Sequence, residues 1–584
     1  MNPIFIPDNA PFNEDQKAWL RGFLAGAQAH AAMLAAQNPA SDNDAPKKEL
    51  NIFFGTQTGN AETVALDAAS IAKTQGFAPV VAGLDDVAIE DLAKMQAVLI
   101  VISTYGEGEM PDNAQIFWDE LTASTAPRME QLNFGVLALG DTSYDEFCHA
   151  GKLIDTRLEQ LGAKRMLARV DCDVDFEDLA ATWIADAMPL ASEVAGVSEG
   201  GADTAAPATQ EKSKWSRKNP YHSAVIENRL LSGKSSAKEI RHFSFDLAGS
   251  EMTYEAGDAL GVIPTNDEEL VDAIIAKLGA NDDQPIAKFD APLKEVLQTK
   301  LEIMTPSKDM VMAINERAKD EELTTILSNG DKDALENFLW GRDTLDLLDL
   351  GDGQLFTAEE FVDQLKPLQH RAYSISSSPK AHNDEVHLTV AAVRWAYEGR
   401  EHKGVCSTFL ADVTKEGDEL PIFMSPNRSF RIPSDNDVPM IMVGPGTGIA
   451  PFRAFLEERR EIGANGKNWL FFGDQHRAED FIYEDEIGQM SNDGILNRLD
   501  LAFSRDQSEK IYVQSRMLEN GKELFAWLEE GGYFYVCGDA TRMAKDVDEM
   551  LRRIIQEQGG FSDEAADGYM SKLKKEKRYL RDVY

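Results

Sequence analysis

Residues 50–54, Leu-Asn-Ile-Phe-Phe, run straight into Gly55-Thr56-Gln57-Thr58-Gly59-Asn60. An apolar strand ending in a loop of this kind is the opening unit of a doubly wound parallel sheet, whose ligand loops lie at the strand C-termini. Thr56, Thr58 and Asn60 supply hydroxyl and amide groups, with Gln57 and Gly59 between them. Together with the N–H groups that open the following helix they make an anion cradle. The loop holds no lysine, so it is not a Walker-type triphosphate site. A metal-free monophosphate ester fits it better. Further strands are expected at 98–103 and 135–139. Each again ends in a loop: Ser103-Thr104-Tyr105-Gly106-Glu107-Gly108, and Leu139-Gly140-Asp141-Thr142-Ser143-Tyr144, followed by Phe147. Two tyrosines on neighbouring loops beside a phosphate cradle predict a flat ring held between Tyr105 and Tyr144.

Outward from this unit, 584 residues are too many for one core and predict several domains. A net charge of −42 argues against a nucleic-acid partner. It leaves two readings open, simple solubility or a salty habitat, and an acidic face that steers a basic partner protein. Four scattered cysteines, Cys148, Cys172, Cys406 and Cys537, form no disulfide framework and no cysteine-clustered metal site, and no metal ligand set is expected. A reducing cytoplasm fits. No signal peptide is evident, and residues 19–36 are too short and too polar to span a bilayer. Asn13 and Gln16 resemble a capping box, predicting a helix over 14–37, either a docking cap or an oligomerisation element. Residues 198–214, rich in Gly, Ala, Thr and Ser, read as a flexible linker.

From Trp215 the pattern changes. Strand-like pieces at 221–231, 242–247 and 386–394 flank a helical block near 268–363, which predicts a β-barrel interrupted by a helical insertion. From 438 onward strands and helices alternate again, with strands at 439–443, 468–472, 500–503 and 533–536. The first of these ends in a second glycine loop, residues 444–451 (GPGTGIAP). It is not the G-x-G-x-x-G of a dinucleotide fold.

The segments TQTGN, STYGEGEMPDN and LGDTSYDEF closely resemble the FMN-binding domain of the diflavin reductase family. The resemblance implies that residues 56–60 hold the FMN phosphate and that Tyr105 and Tyr144 flank the ring. Ser103, Thr104, Gly106, Gly108, Leu139, Gly140, Asp141 and Phe147 would line the same site, with Asp173 beside them. Arg371-Ala372-Tyr373-Ser374 resembles the R-x-Y-S motif of ferredoxin–NADP reductases. It implies an Arg for a pyrophosphate, a Tyr stacked on the flavin and a Ser near N5. Gly404, Val405, Cys406 and Ser407 would meet the FAD pyrophosphate, and Trp395 the adenine. GPGTGIAPFR resembles the pyridine-nucleotide domain of that superfamily, with Gly446 and Thr447 in its loop. Downstream stand Ser504, Arg505, Lys510, Tyr512 and Gln514, with Asp546 further on. An Arg and a Lys with hydroxyls favour a 2′-phosphate, hence NADPH. Asp474 reads as a turn residue. Cys537 in a C-G-D segment and the ending RYLRDVY complete the resemblance: Tyr584 would cover the flavin ring, and Ser374, Cys537 and Asp582 would surround the hydride path.

The family implies a multidomain α/β and β fold: an N-terminal helix and linker (1–47), a flavodoxin-like doubly wound parallel sheet (48–196), a linker (197–214), a ferredoxin–NADP-reductase-like β-barrel with helical insertion (215–434), and a Rossmann-like NADP domain (435–584). It implies electron flow from NADPH to FAD to FMN to a partner hemoprotein. The N-terminal helix and the ending are most similar to the flavoprotein subunits of NADPH-dependent sulfite reductases, for which the acceptor is a siroheme and iron–sulfur subunit that reduces sulfite to sulfide. A soluble reductase serving a cytochrome, and a flavin carrier without NADPH turnover, stand as alternatives.

Overall fold

The computed structural model describes residues 48–142, 144, 146–196 and 213–584. The helix expected over 14–37 and nearly all of the linker expected over 198–214 lie outside them.

The first unit is a parallel sheet of β1 (Glu49–Gly55), β2 (Ala78–Gly83), β3 (Ala97–Ser103), β4 (Asn133–Leu139), β5 (Lys164–Arg165) and β6 (Val170–Cys172). The order is β2-β1-β3-β4-β5, with β6 also on β4. Residues 97–102 of β3 are all buried, as a parallel strand covered on both faces requires. Separate apolar clusters fill the two sides, one around Ala65, Trp183 and Met188, the other around Phe117, Ile154 and Phe134. This is the flavodoxin-like arrangement, and it delivers the loops after β1, β3, β4 and β6 to one edge.

The middle unit is an antiparallel barrel built from β7 (Tyr221–Leu230), β8 (Glu239–Asp246) and β9 (Ala259–Val262). A helical insertion follows, with its own core around Val271, Met310 and Phe361 and a small hairpin of β10 (Pro285–Ile286) and β11 (Ala291–Pro292). The barrel resumes with β12 (Arg371–Ser374) and β13 (Glu385–Ala392). The hairpin β14 (Arg394–Tyr397) and β15 (Arg400–Lys403) precedes β16 (Glu419–Ser425). The order is β12-β9-β16-β7-β8-β13, and a bridge between Ile375 and Leu388 joins its two ends. The single strand expected over 386–394 is therefore broken at Val393, which is 52% exposed and marks the step from barrel to hairpin.

The last unit is a five-stranded parallel sheet, β17 (Met440–Val443), β18 (Asn468–Asp474), β19 (Arg498–Phe503), β20 (Tyr533–Gly538) and β21 (Tyr579–Val583), in the order β19-β18-β17-β20-β21. The fifth strand was not expected from the sequence. Its register sets Cys537 opposite Asp582. Among the described residues no helix is long and apolar enough to cross a membrane.

Candidate active site

The first loop is built by its glycine. Gly59 takes φ 86°, a left-handed conformation that glycine adopts without steric cost, and caps the helix Asn60–Thr74 with no side-chain cap bond. The first N–H groups of that helix are thus open to an anion. Thr56 is buried, and its Oγ1 accepts the Gly59 N–H at 2.9 Å. Gln57 is locked to the helix Asp112–Thr122 that follows β3: its Nε2 donates to Asp112 Oδ2 at 3.2 Å and its Oε1 accepts the Asp112 N–H at 3.0 Å. Thr58 and Asn60 are exposed at the tip.

The neighbouring loops are tied to this one. Ser103 Oγ donates to the Gly55 carbonyl at 3.4 Å. The Thr104 N–H donates to the Leu139 carbonyl at 2.9 Å, joining the second loop to the third. Asp173 accepts from Thr142 N–H at 3.0 Å and from its hydroxyl at 2.5 Å, so that carboxylate staples the third loop. Tyr144 is 48% exposed, presenting an aromatic face that a flat ring could cover. The uncapped helix, the lysine-free hydroxyl loop and the two tyrosines fit a flavin mononucleotide.

In the barrel, Arg371 donates to the carbonyls of Gln369 and His370 at 3.3 and 3.2 Å. Tyr373 and Cys406 are neighbours, and burial pushes the Cys406 thiol up to about 12, with the Tyr373 hydroxyl opposing. The segment Gly404–Ser407 opens a short helix with no side-chain cap. Ser407 Oγ is engaged by the Val393 N–H at 3.1 Å. Trp395 stacks on His402 at 5.4 Å between centroids, and its Nε1 donates to the Gly341 carbonyl at 2.9 Å. That contact anchors the β14–β15 hairpin on the helical insertion.

Three side chains from distant segments converge where the barrel meets the last sheet. Ser374 Oγ donates to Asp582 Oδ2 at 2.5 Å, and Cys537 Sγ lies 3.8 Å from the same oxygen. Burial pushes the Asp582 carboxyl above its ordinary value, against the two donors. Burial likewise pushes the Cys537 thiol far up, so it stays protonated and donates. Beside this cluster Tyr584 is 64% exposed and its hydroxyl is 3.0 Å from Thr447 Oγ1.

A cavity of about 690 Å³ opens next to Tyr584. Gly446, Thr447, Ser504, Arg505, Lys510, Tyr512, Gln514 and Asp546 all line it. Gln514 Nε2 donates to Asp546 Oδ2 at 3.1 Å. Sequence reasoning missed two of its cations, Arg542 and Lys238. Lys238 comes from the loop before β8 and pairs with Asp474 at 2.6 Å; no local signal could have linked residues so far apart. Asp474 is accordingly not a turn residue. It ends β18 with its side chain 1% exposed. Among the described residues Arg505, Lys510 and Arg542 have no ion-pair partner. Unpaired cations around a cavity in so acidic a chain fit a phosphorylated nucleotide.

Among the described residues two groups have metal-like spacing, His382–Glu385–His387 and Asp343–Asp346–His402. In the second, Arg400 lies 2.5 Å from Asp343 and 2.7 Å from Asp346, already supplying a cation.

Residues 52–183 match the family described as Flavodoxin, 213–409 the FAD binding domain, and 442–549 the Oxidoreductase NAD-binding domain. Over 98% of its length the chain is 45% identical to the sulfite reductase [NADPH] flavoprotein alpha-component of Bacillus subtilis, of which 96% is covered. The chain belongs to this flavoprotein family. The alpha-components of Mannheimia succiniciproducens and Vibrio cholerae are 41% and 40% identical, again over 98% of this chain and 97% and 94% of theirs. As a member of the sulfite reductase flavoprotein family it is an oxidoreductase that takes FMN, FAD and NADPH, one in each of the three matched units.

Proposed function

We propose that this chain draws electrons from NADPH and delivers them, through FAD and then FMN, to a siroheme-bearing partner that reduces sulfite to sulfide. The observation that carries the reading is the meeting of Ser374, Cys537 and Asp582, where Gly538 beside Cys537 and Tyr584 just past the strand of Asp582 line a cavity together with Arg505 and Lys510. When bound, NADPH supplies a hydride, FAD divides the electron pair, and FMN passes single electrons on.

The chain's own residues bind, orient and exclude. Arg505 and Lys510 hold the 2′-phosphate end of the nucleotide, helped by Ser504, Tyr512 and Gln514. Asp582 fixes the Ser374 hydroxyl and the Cys537 thiol along the approach of the nicotinamide. Its carboxylate offsets the positive charge that develops on the ring as hydride leaves. Tyr584 shields the flavin face and must move aside for nicotinamide; its exposed ring and single hydroxyl bond to Thr447 suit that motion. Residues 56–60 hold the FMN phosphate.

The partner and its reach are part of the same proposal. The segment 197–214, read from its composition as a linker, would let the flavodoxin-like unit serve two positions. The segment 14–37 is the element proposed for docking or self-association, and the cytoplasm the compartment. Rapid mixing with NADPH tests the core of the reading, since no bleaching of FAD absorbance would sink it. Reduction of a co-purified siroheme protein tests the acceptor. Replacing 198–214 by a rigid stub should slow that second step alone. Gel filtration with and without residues 1–47 reads the self-association.

A further inference from the structure

The strand that carries Asp582 also grips the flavodoxin-like unit. Successive side chains of a strand point to opposite faces. Asp582 faces Ser374 and Cys537, and Arg581 beside it faces away, onto Asp112. The contact is two-pronged: Arg581 Nε donates to Asp112 Oδ2 at 2.9 Å, and Nη2 donates to Oδ1. Asp112 is the residue that clasps Gln57 in the phosphate loop. Two residues beyond Arg581, the Tyr105 hydroxyl donates to the Val583 carbonyl at 3.3 Å. From the barrel side the Pro426 carbonyl presses on Gly59 so closely that a Cβ there would lie 2.4 Å away. The loop read as the FMN cradle is thus held from two sides by the other two units. Further ion pairs cross the same boundary, Lys575–Glu120 at 2.9 Å and Lys577–Asp86 at 2.7 Å. Their side chains are 42–52% exposed, against 25% and 32% for Arg581 and Asp112.

We infer that Arg581 is a positioning residue: through Asp112 and Gln57 it docks the FMN cradle onto the strand bearing the hydride-site acid, and so sets the approach between the two flavins. With both flavins bound, each passage would carry one electron from FAD to FMN. Two passages account for the pair brought by one hydride, whose proton leaves to solvent. Arg581 takes no part in the chemistry; it fixes where the acceptor stands. A partly shielded, two-pronged Arg–carboxylate pair is worth more than exposed ones, and its truncation acts on the lifetime of the docked state.

The inference rests on the electron path proposed above, and the test separates the two. Full-length protein with both flavins is mixed with NADPH in a stopped-flow instrument, for wild type, Arg581→Ala, Arg581→Lys, Lys575→Ala and the charge swap Arg581→Asp/Asp112→Arg. Wild type that reduces no flavin overturns the path itself. With the path intact, Arg581→Ala should leave FAD reduction within about twofold and slow the transfer to FMN roughly tenfold, as loss of a shielded charge pair does. Lysine should restore part of that loss, the swap also only part because it re-forms the pair but gives up the Asp112–Gln57 side-chain bond, and Lys575→Ala should change little. Small-angle scattering of the oxidised proteins without NADPH gives a second readout, in which Arg581→Ala expands and wild type does not. Equal slowing of both phases would mean that Arg581 acts through Asp582, and overturns the inference. So does a Lys575→Ala effect as large as that of Arg581→Ala, or an unchanged second phase with an unchanged radius of gyration.

Discussion

Replacing Asp582 by asparagine keeps the volume of the side chain and removes its charge. In the structure that carboxylate is half-buried, accepts from Ser374 Oγ at 2.5 Å and stands 3.8 Å from Cys537 Sγ. Hydrogen bonds to a charged group contribute about 1.5–3 kcal/mol. The charge counts most when the nicotinamide becomes cationic, because ground-state binding involves a neutral ring. Every 1.36 kcal/mol is tenfold in rate, so hydride transfer should slow by about 10- to 150-fold with NADPH affinity nearly unchanged. The assay is single-turnover bleaching of FAD at saturating NADPH, repeated with deuterated nucleotide, whose isotope effect should grow as hydride transfer becomes limiting. Ser374→Ala should cost less, and the double variant should fall short of the product of the two single effects, because both changes strike one hydrogen bond. The pH profile gives an independent check. Burial raises the Asp582 carboxyl above its ordinary value, so its charge, and the rate it supports, are lost as pH falls; asparagine abolishes that limb. A rate for Asp582→Asn within twofold of wild type, with an unchanged acid limb, would refute the reasoning.

Three other outcomes are expected. Arg505→Ala should raise the KM for NADPH about tenfold or more and leave NADH unaffected, since a charge-assisted bond to phosphate is worth about 1.5–3 kcal/mol; equal weakening of both nucleotides would show that Arg505 does not meet a 2′-phosphate. Gly59→Ala places a Cβ at φ 86° and 2.4 Å from the Pro426 carbonyl. The backbone term alone costs about 1–2 kcal/mol, so released-flavin analysis should show lost FMN beside intact FAD. His242 and His387 are buried, and burial first, with Arg453, Arg229 and His382 adding for both and His242 adding for His387, depresses them to about 3 and about 2. Glu227 and Glu385, at 3.5 and 3.1 Å, are half-exposed and do not reverse this. The unfolded chain binds protons near pH 6.5 that the folded one refuses, so stability is present above that value and lost below it. Between pH 6.5 and 4.5 the loss should approach roughly 5 kcal/mol for the pair. Denaturant midpoints across that range should show it, and His242→Gln, which can keep a bond to the Tyr483 hydroxyl, should flatten it.

What was legible in the sequence is what is local. Each cradle loop follows its own strand, so residues 55–60 announce their place by the five residues before them, and the same holds for the loops after β3, β4 and β17. The shared core of a parallel sheet also shows, because β3 reads as an uninterrupted apolar run. Contacts between distant segments do not show. Nothing near Lys238 points to Asp474, and nothing near Val393 reveals the turn that splits the expected strand. Tyr483 gives no sign that it bonds His242 at 2.9 Å and Thr389 at 2.7 Å, reaching from the last unit to the outer face of β8 and β13.

The last strand was missed for a more instructive reason. A strand is recognised by apolar residues on one face or on both, and Tyr579–Val583 has neither pattern at its centre, only Leu580, Arg581 and Asp582. Each face carries one charge at the centre of the strand because each face is in use. One serves the hydride-site cluster through Asp582, the other the phosphate loop through Arg581 and Asp112. A slip of one residue would exchange the two faces, sending the guanidinium toward Ser374 and the carboxylate toward Asp112, where it would be repelled. The pairing of Cys537 with Asp582 forbids that slip. The alternating charges that hid this strand are therefore what fixes its register, and with it the relation between the two ends of the electron path.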